Sequence, residues 1–202
     1  MELYVRNASW EDIPAIVELE NKVWPEGTRA PREKFEKRLA VFPEGFFLAF
    51  NGDALMGVST SEIIAYPSLL PKSWEAMTDN GYIEKTHNPR GNALYVVSLG
   101  AVSRSGAGSA LLERQKEFVK IRELHCLMLG ARIPGYDEYC RTVKEIPIGA
   151  YASLIREDGQ PYDAELRFYT RNGLKIKEIV PNFMEDDKES RNYGAIMMWE
   201  NE

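Results

Sequence analysis

Apolar and polar positions alternate over residues 2–7 (Glu-Leu-Tyr-Val-Arg-Asn), the period of a half-buried strand. The period then lengthens. Ile13, Ile16, Val17, Val23 and Trp24 share one helical face, and Ser9-Trp-Glu-Asp12 ahead of them has the form of a capping box. A helix is therefore predicted from about 10 to 22, broken by Pro25-Glu-Gly-Thr. A second amphipathic stripe, Phe35, Leu39 and Phe42, begins behind Pro31 and stops at Pro43-Glu-Gly45. Phe46–Phe50 and Ala54–Ser61 read as a hairpin around Asn51-Gly52-Asp53, because Asn-Gly tolerates positive φ at both turn positions. Its second arm runs on into Glu62-Ile-Ile64.

Residues 66–91 break this regularity. Pro67, Pro71, Gly81, Pro89 and Gly91 punctuate them, with a short helix predicted around Ser73–Thr78. Their aromatic and polar side chains fit either a pocket wall or a structural cover better than a linker. Ala93–Val102 follows as a buried strand carrying Val96, Val97, Leu99 and Val102. A tight loop comes next, Ser103-Arg-Ser-Gly106-Ala-Gly108, and then a helix expected to open at Ser109 with Leu111, Leu112, Phe118 and Val119 on its apolar side. Such a strand–loop–helix turn aims open backbone N–H groups and the positive end of the helix dipole at one spot, which suits a phosphate. Leu124–Gly130 reads as a strand buried on both faces, emerging at Ala131–Tyr136. Helical segments are predicted at 136–143, 149–156 and 164–170, the last ended by Asn172-Gly173 in a left-handed cap. Strands are predicted at 174–180 and 193–199. The acidic run Glu185–Asp187 between them reads as a solvated loop. The order is that of an α/β chain built on a central mixed, mostly antiparallel sheet with helices on both faces. A single domain is expected over 1–202, with insertions at about 66–91 and 133–163.

Charge and composition narrow the functions. A net charge of −6 over 202 residues argues against general nucleic-acid binding, though not against a local basic site for a phosphorylated cofactor. Cys126 and Cys140 lack metal-type spacing, and Cys126 lies in an apolar run as a core residue would. No metal site is expected. Glu2 and Arg6 interrupt any signal peptide, and no apolar run approaches a membrane span, so a cytoplasmic protein without membrane contact is expected. A mononucleotide site is disfavoured because the loop lacks the Lys-Ser/Thr ending of a P-loop.

The order of elements, Gly106-x-Gly108-x-x-Leu111-Leu112 after the fourth strand, and Tyr169-Thr-Arg-Asn-Gly173-Leu174 together resemble the GNAT family of acetyl-CoA-dependent N-acyltransferases. The resemblance spans essentially the whole chain. A narrower likeness, carried by Thr86-His87-Asn-Pro, Gly130-Ala-Arg132-Ile-Pro-Gly135-Tyr136 and Pro181-Asn182-Phe183, is to a GNAT subgroup also found joined to nitrilase-type carbon–nitrogen hydrolase domains. Where the family usually carries Gln or Arg three residues before the first loop glycine, this chain has Ser103, and Arg104 is expected to substitute.

The resemblance implies acetyl-CoA as cofactor. Its pantetheine arm would lie along the backbone of Leu99, Ala101 and Val102, and its pyrophosphate against the N–H groups of Arg104, Ser105, Gly106, Ala107, Gly108 and Ser109. It also implies direct attack of a primary amine, of a small or amino-acid-like acceptor, on the thioester. Tyr169 would return a proton to the leaving thiolate; the alternative is a tyrosine packed on the sheet. The fourth strand offers no carboxylate near Val97–Leu99, so His87 and Glu62 are the candidate bases, with a water chain as the alternative. Arg132 would bind an acceptor carboxylate or pair with an acidic neighbour in the fold. Tyr136 and Trp74 would line the acceptor pocket, Trp74 alternatively anchoring the insert. A homodimer is left open. The competing function is a non-catalytic acyl-CoA-binding module.

Overall fold

The computed structural model describes residues 3–67 and 73–201, so Glu2 and Pro71 lie outside the described residues. The chain divides into two compact units. One comprises Met1–Leu70, Glu75–Leu127 and Glu200–Glu202, the other Pro71–Trp74 and Met128–Trp199.

In the first unit β1 (Leu3–Asn7), β2 (Phe46–Asn51), β3 (Ala54–Ile64) and β4 (Ala93–Ala101) follow one another as antiparallel neighbours. Helices α1 (Ile13–Val23) and α2 (Arg32–Val41) cover one face. Ile13, Ile16, Leu19, Phe35 and Leu39 pack there against Phe46, Leu48, Phe50 and Val58. The alternate residue Phe47 meets Phe118 of α4 (Ala107–Ile121) on the other face, their rings 6.4 Å apart. Strand alternation thus produces two apolar faces, and each recruits an amphipathic helix. The capping box forms as expected: the Asp12 carboxylate accepts from the Ser9 N–H at 2.8 Å and the Ser9 hydroxyl at 2.9 Å.

The hairpin turn and the start of α4 differ from the sequence reading, while the short helix expected around 73–78 forms. The hairpin turn is Gly52-Asp53, with Asn51 paired to Ala54, and only Gly52 takes positive φ (59°). That is the pattern of a type II′ turn, whose first central position wants glycine. Helix α4 starts at Ala107 rather than Ser109, because Gly106 in the left-handed region (φ 81°) serves as its N-cap. A short helix, α3 (Trp74–Thr78), lies within the 66–91 segment.

The second unit holds most of β5 (Cys126–Arg132) and of β7 (Gly194–Glu200), together with β6 (Lys175–Val180), in the order β5-β7-β6. Helices α5 (Gly135–Thr142), α6 (Ile148–Ala152) and α7 (Ala164–Arg171) complete it. Gly130 and Gly194 are required by packing: a Cβ on either would enter the ring of the fully buried Phe183. Gly173 takes the predicted left-handed conformation after α7 (φ 81°). The acidic run is not a solvated loop throughout. Asp187 is 1% exposed, drawn inward by Arg132. Among the described residues no helix is long and apolar enough to cross a membrane. No group of three or more His, Cys, Asp and Glu among them could hold a metal ion, and both cysteines are buried and outside any disulfide.

Candidate active site

The candidate residues fall into two sets, one in each unit. In the first, β4 delivers the chain into the loop before α4. Arg104 (φ 57°) and Gly106 (φ 81°) both take left-handed conformations, uncommon for a residue with a Cβ. Ser105 shapes the turn: its hydroxyl donates to the Val102 carbonyl at 2.6 Å and accepts from the Ala107 N–H at 3.2 Å. Its own N–H reaches the Val102 carbonyl at 3.3 Å. Of the six residues expected to present N–H groups, Ser105 and Ala107 are therefore engaged within the loop. Helix geometry leaves the N–H groups of Gly106, Gly108 and Ser109 without intrahelical acceptors, since the first helical bond runs from Ala110 to the Gly106 carbonyl at 3.1 Å. Arg104 is exposed and, among the described residues, makes no ion pair.

The strand before this loop sorts the pantetheine candidates. The Val102 N–H is bonded to the Met56 carbonyl at 2.8 Å, toward β3. Backbone polar groups of alternate residues in an antiparallel ladder point the same way, so Leu99 and Ala101 face away from β3 and Val102 does not. Further back, the register steps from Thr60↔Ser98 to Ser61↔Val96, which makes Val97 the extra residue of a β-bulge.

Glu62 lies on β3 beside this bulge, completely buried. Burial pushes its carboxyl up to about 8. The Thr86 hydroxyl and the Arg38 charge act in the opposite direction, and Asp79 adds to the rise. Thr86 is near Glu62, yet neither carboxyl oxygen reaches a hydrogen bond of good geometry. His87, the other candidate base, has its Nδ1 occupied: it accepts the Ile63 N–H at 3.1 Å, while its ring stacks on Phe42 at 4.5 Å. Burial lowers its proton affinity, and in the neutral ring the remaining Nε2 carries the proton. Through this bond His87 ties the 66–91 segment to β3.

In the second unit Arg132 has the acidic partners that the sequence left as the alternative to an acceptor. Nε and Nη2 meet the two oxygens of Asp187 at 3.0 and 2.6 Å, and Nη2 also meets Glu189 at 2.6 Å. Burial opposes the guanidinium charge, but the hydrogen bonds with Asp187 and Glu189 outweigh it and hold the proton more firmly than usual. Tyr136 is buried too, its hydroxyl donating to the Ile146 carbonyl at 2.8 Å. Both side chains have partners within the fold. Trp74 is half-buried, and its backbone N–H reaches the Phe183 carbonyl at 2.6 Å. Tyr169 is buried on α7, a helix whose N-cap, Asp163, accepts from the N–H groups of Glu165 and Leu166.

Four features escaped the sequence reading. The bulge at Val97 has no local signature. Glu165 sits one turn before Tyr169, its carboxyl raised to about 8 by burial first, with Arg132 pulling it down and Asp163 and Asp187 pushing it up. Arg38 and Glu20 are buried on the same helical stripes as Phe35–Leu39 and Ile16–Val17. A charge at i+3 or i+4 within an apolar stripe was the signal that could have found them.

No protein-family model matches the chain. Over 98% of each chain it superimposes on the GphF GNAT-like decarboxylase in complex with isobutyryl-CoA, at a TM-score of 0.81 and 23% identity. Bacillus subtilis YkwB, named an uncharacterized N-acetyltransferase, is 31% identical over 207 residues, covering 98% of this chain and 89% of YkwB. The chain belongs to the GNAT family. A second Bacillus subtilis relative, YhcX, named a probable hydrolase, is 31% identical over 205 residues. That match takes in 99% of this GNAT chain and 39% of YhcX, so the chain spans about two-fifths of that relative. The GNAT family is one of acyl-CoA-dependent acyltransferases, and acyl-CoA is the cofactor its fold serves.

Proposed function

We propose that the protein is an acetyl-CoA-dependent N-acetyltransferase acting on the primary amine of a small or amino-acid-like acceptor. The observation that carries this reading is the start of α4: a left-handed Gly106 N-cap, open N–H groups on Gly106, Gly108 and Ser109, and the exposed Arg104 beside them, which makes no ion pair among the described residues. A diphosphate suits that cradle, since backbone donors, helix dipole and guanidinium act on the same charge. The outward backbone of Leu99 and Ala101 would pair with the pantetheine amides.

The amine nitrogen attacks the thioester carbonyl carbon, and the C–S bond breaks. Tyr169 gives its phenolic proton to the departing thiolate. Glu62, with a proton affinity near neutral pH, takes the amine proton through water, since general-base efficiency peaks when the pKa lies near the working pH. Trp74 is a candidate for the acceptor wall.

Two measurements test the reading. Acetyl-CoA should raise the thermal midpoint, by about 2.7 kcal/mol of stability at a hundred times its Kd. Thiol release across an amine panel should fall about 100-fold in Tyr169→Phe with acetyl-CoA binding kept. A thermal midpoint that ignores millimolar acetyl-CoA overturns the reading. Binding without thiol release from any amine selects the non-catalytic acyl-CoA module. Carbon dioxide release from a carboxylated acyl-CoA selects the chemistry named for GphF.

A further inference from the structure

Among the described residues, buried side-chain atoms without a hydrogen-bond partner occur singly at Asn51, Gln115 and Gln160, but several lie together in one place. Glu20 Oε2, Trp24 Nε1, Arg38 Nη2, both oxygens of Glu62 and Thr86 Oγ1 belong to residues gathered on the α1–α2 side of β3 and β4. Trp24 reaches this place because Gly100 lets it: a Cβ there would stand 2.8 Å from Trp24 Nε1. Native proteins leave few buried polar atoms unsatisfied, and ordered water is the usual remedy where several converge.

Arg38 is at the centre of the group. Its guanidinium is buried, with Nε donating to the Gly81 carbonyl at 2.7 Å and Nη1 to Thr60 Oγ1 at 3.2 Å and Ser98 Oγ at 3.0 Å. Thr60 and Ser98 are the cross-strand pair immediately beside the Val97 bulge. Their hydroxyls also meet each other at 3.0 Å. One side chain therefore joins α2, both strands at the bulge and the turn after α3. A planar fork does this and an ammonium does not, because its donors are fixed in direction.

We propose that Arg38 is a positioning residue of the transfer site: it fixes the β4 bulge against β3 and holds a constant positive charge toward Glu62 across a small internal water cluster bounded by Glu20, Trp24 and Thr86. The proposal rests on the reading that Glu62 receives the amine proton. The groups facing Glu62 are Arg38 from α2, Asp79 and Thr86 from the segment after α3, and its cross-strand partner Tyr95 from β4, with Glu20 of α1 acting on Arg38 from behind. Arg38 is the positive member of that set. Removing it leaves the Thr86 hydroxyl as the one group of that set opposing burial and Asp79.

The experiment titrates the Glu62 carboxyl by carbon-detected NMR in glutamate-labelled protein, with the resonance assigned by its loss in Glu62→Gln. In Arg38→Met the midpoint should rise by about one pH unit or more. In Arg38→Lys the charge persists and the fork is lost. There the midpoint should stay near that of the wild type, while kcat falls at least about tenfold at unchanged KM for acetyl-CoA. An unmoved midpoint in folded Arg38→Met overturns the proposal. Should Arg38→Met not fold, wild-type kcat in Arg38→Lys overturns it instead. The titration needs neither cofactor nor acceptor. A failure of acetyl-CoA to bind the wild type would remove the acetyltransferase reading and leave the coupling of Arg38 to Glu62 measured on its own.

Discussion

Two buried arginines, one in each unit, are solvated in opposite ways. Arg132 is held by charged oxygens, Asp187 through a two-pronged contact and Glu189 through a third bond, and its proton is held more firmly than usual. Arg38 is held by neutral oxygens alone, those of Gly81, Thr60 and Ser98, and burial pulls its proton affinity down to about 10, though Glu20 and Glu62 lie close enough to raise it. The difference separates a structural ion pair from a charge kept available. An arginine whose hydrogen bonds are closed by carboxylates has its field neutralised at short range. One tied to hydroxyls and a carbonyl is fixed in place with its charge still felt by its neighbours. Each arginine acts on a buried carboxyl raised to about 8, Arg132 on Glu165 and Arg38 on Glu62, but the Arg38 guanidinium alone has no carboxylate hydrogen-bonded to it among the described residues.

The largest expected effect breaks the first arrangement. Arg132→Met leaves Asp187 buried and unpaired, and should cost about 3–5 kcal/mol of stability, read as a lower urea midpoint. If Arg132 instead existed to hold an acceptor carboxylate, the urea midpoint would be preserved and only the KM for the acceptor would rise.

The pH dependence sharpens the second. Glu62 has a folded pKa of about 8 against an ordinary 4.5, so the folded state favours its proton. Its contribution is fully present below 4.5 and is lost as pH rises from there through 8. Thermal midpoints should therefore decline across that window, and Glu62→Gln should flatten the decline. Glu165, raised in the same way, keeps part of it. A Glu62→Gln protein with the wild-type slope would mean that the carboxyl is charged in the fold.

The smallest effect is the control. Arg6 grips Asp12 with two bonds of 2.7 Å, a two-pronged contact like that of Arg132 but made through Nη1 and Nη2 and at the surface. Asp12→Asn should cost at most about 1 kcal/mol in the same urea assay. Asp12 is held down to about 2, first by its hydrogen bond with Arg6, so its share is present above 3.8 and lost as pH falls through 2. A cost equal to that of Arg132→Met would show that geometry, and not burial, sets the strength of these pairs.

Much of the fold was legible because its signals are local. The period change at Ser9, the hairpin around Gly52, the stripe Leu111–Val119 and the cap at Gly173 each depend on neighbours a few residues apart. The loop before α4 was legible as a tight glycine turn into a helix for the same reason. Within it, which N–H groups remain open depends on where the Ser105 hydroxyl turns, and that is not written in residue type. His87 shows the limit most clearly: its chemistry suited a base, and only the fold shows that its Nδ1 accepts the Ile63 N–H.

What the sequence determined by itself, then, is the succession of elements and the glycine-bounded turn into α4, because these follow from periodicity, capping and conformational freedom within a short span. The tertiary structure alone decided the rest. It placed a bulge at Val97, drew Asp187 inward to Arg132, and set Arg38 and Glu62 together on one side of the sheet. Those outcomes turn on burial and on groups brought close from far along the chain, as Arg38 of α2 is bonded to Ser98 of β4, 60 positions away. No local pattern carries that information, since a carboxyl becomes a base near neutral pH only through what the fold packs around it.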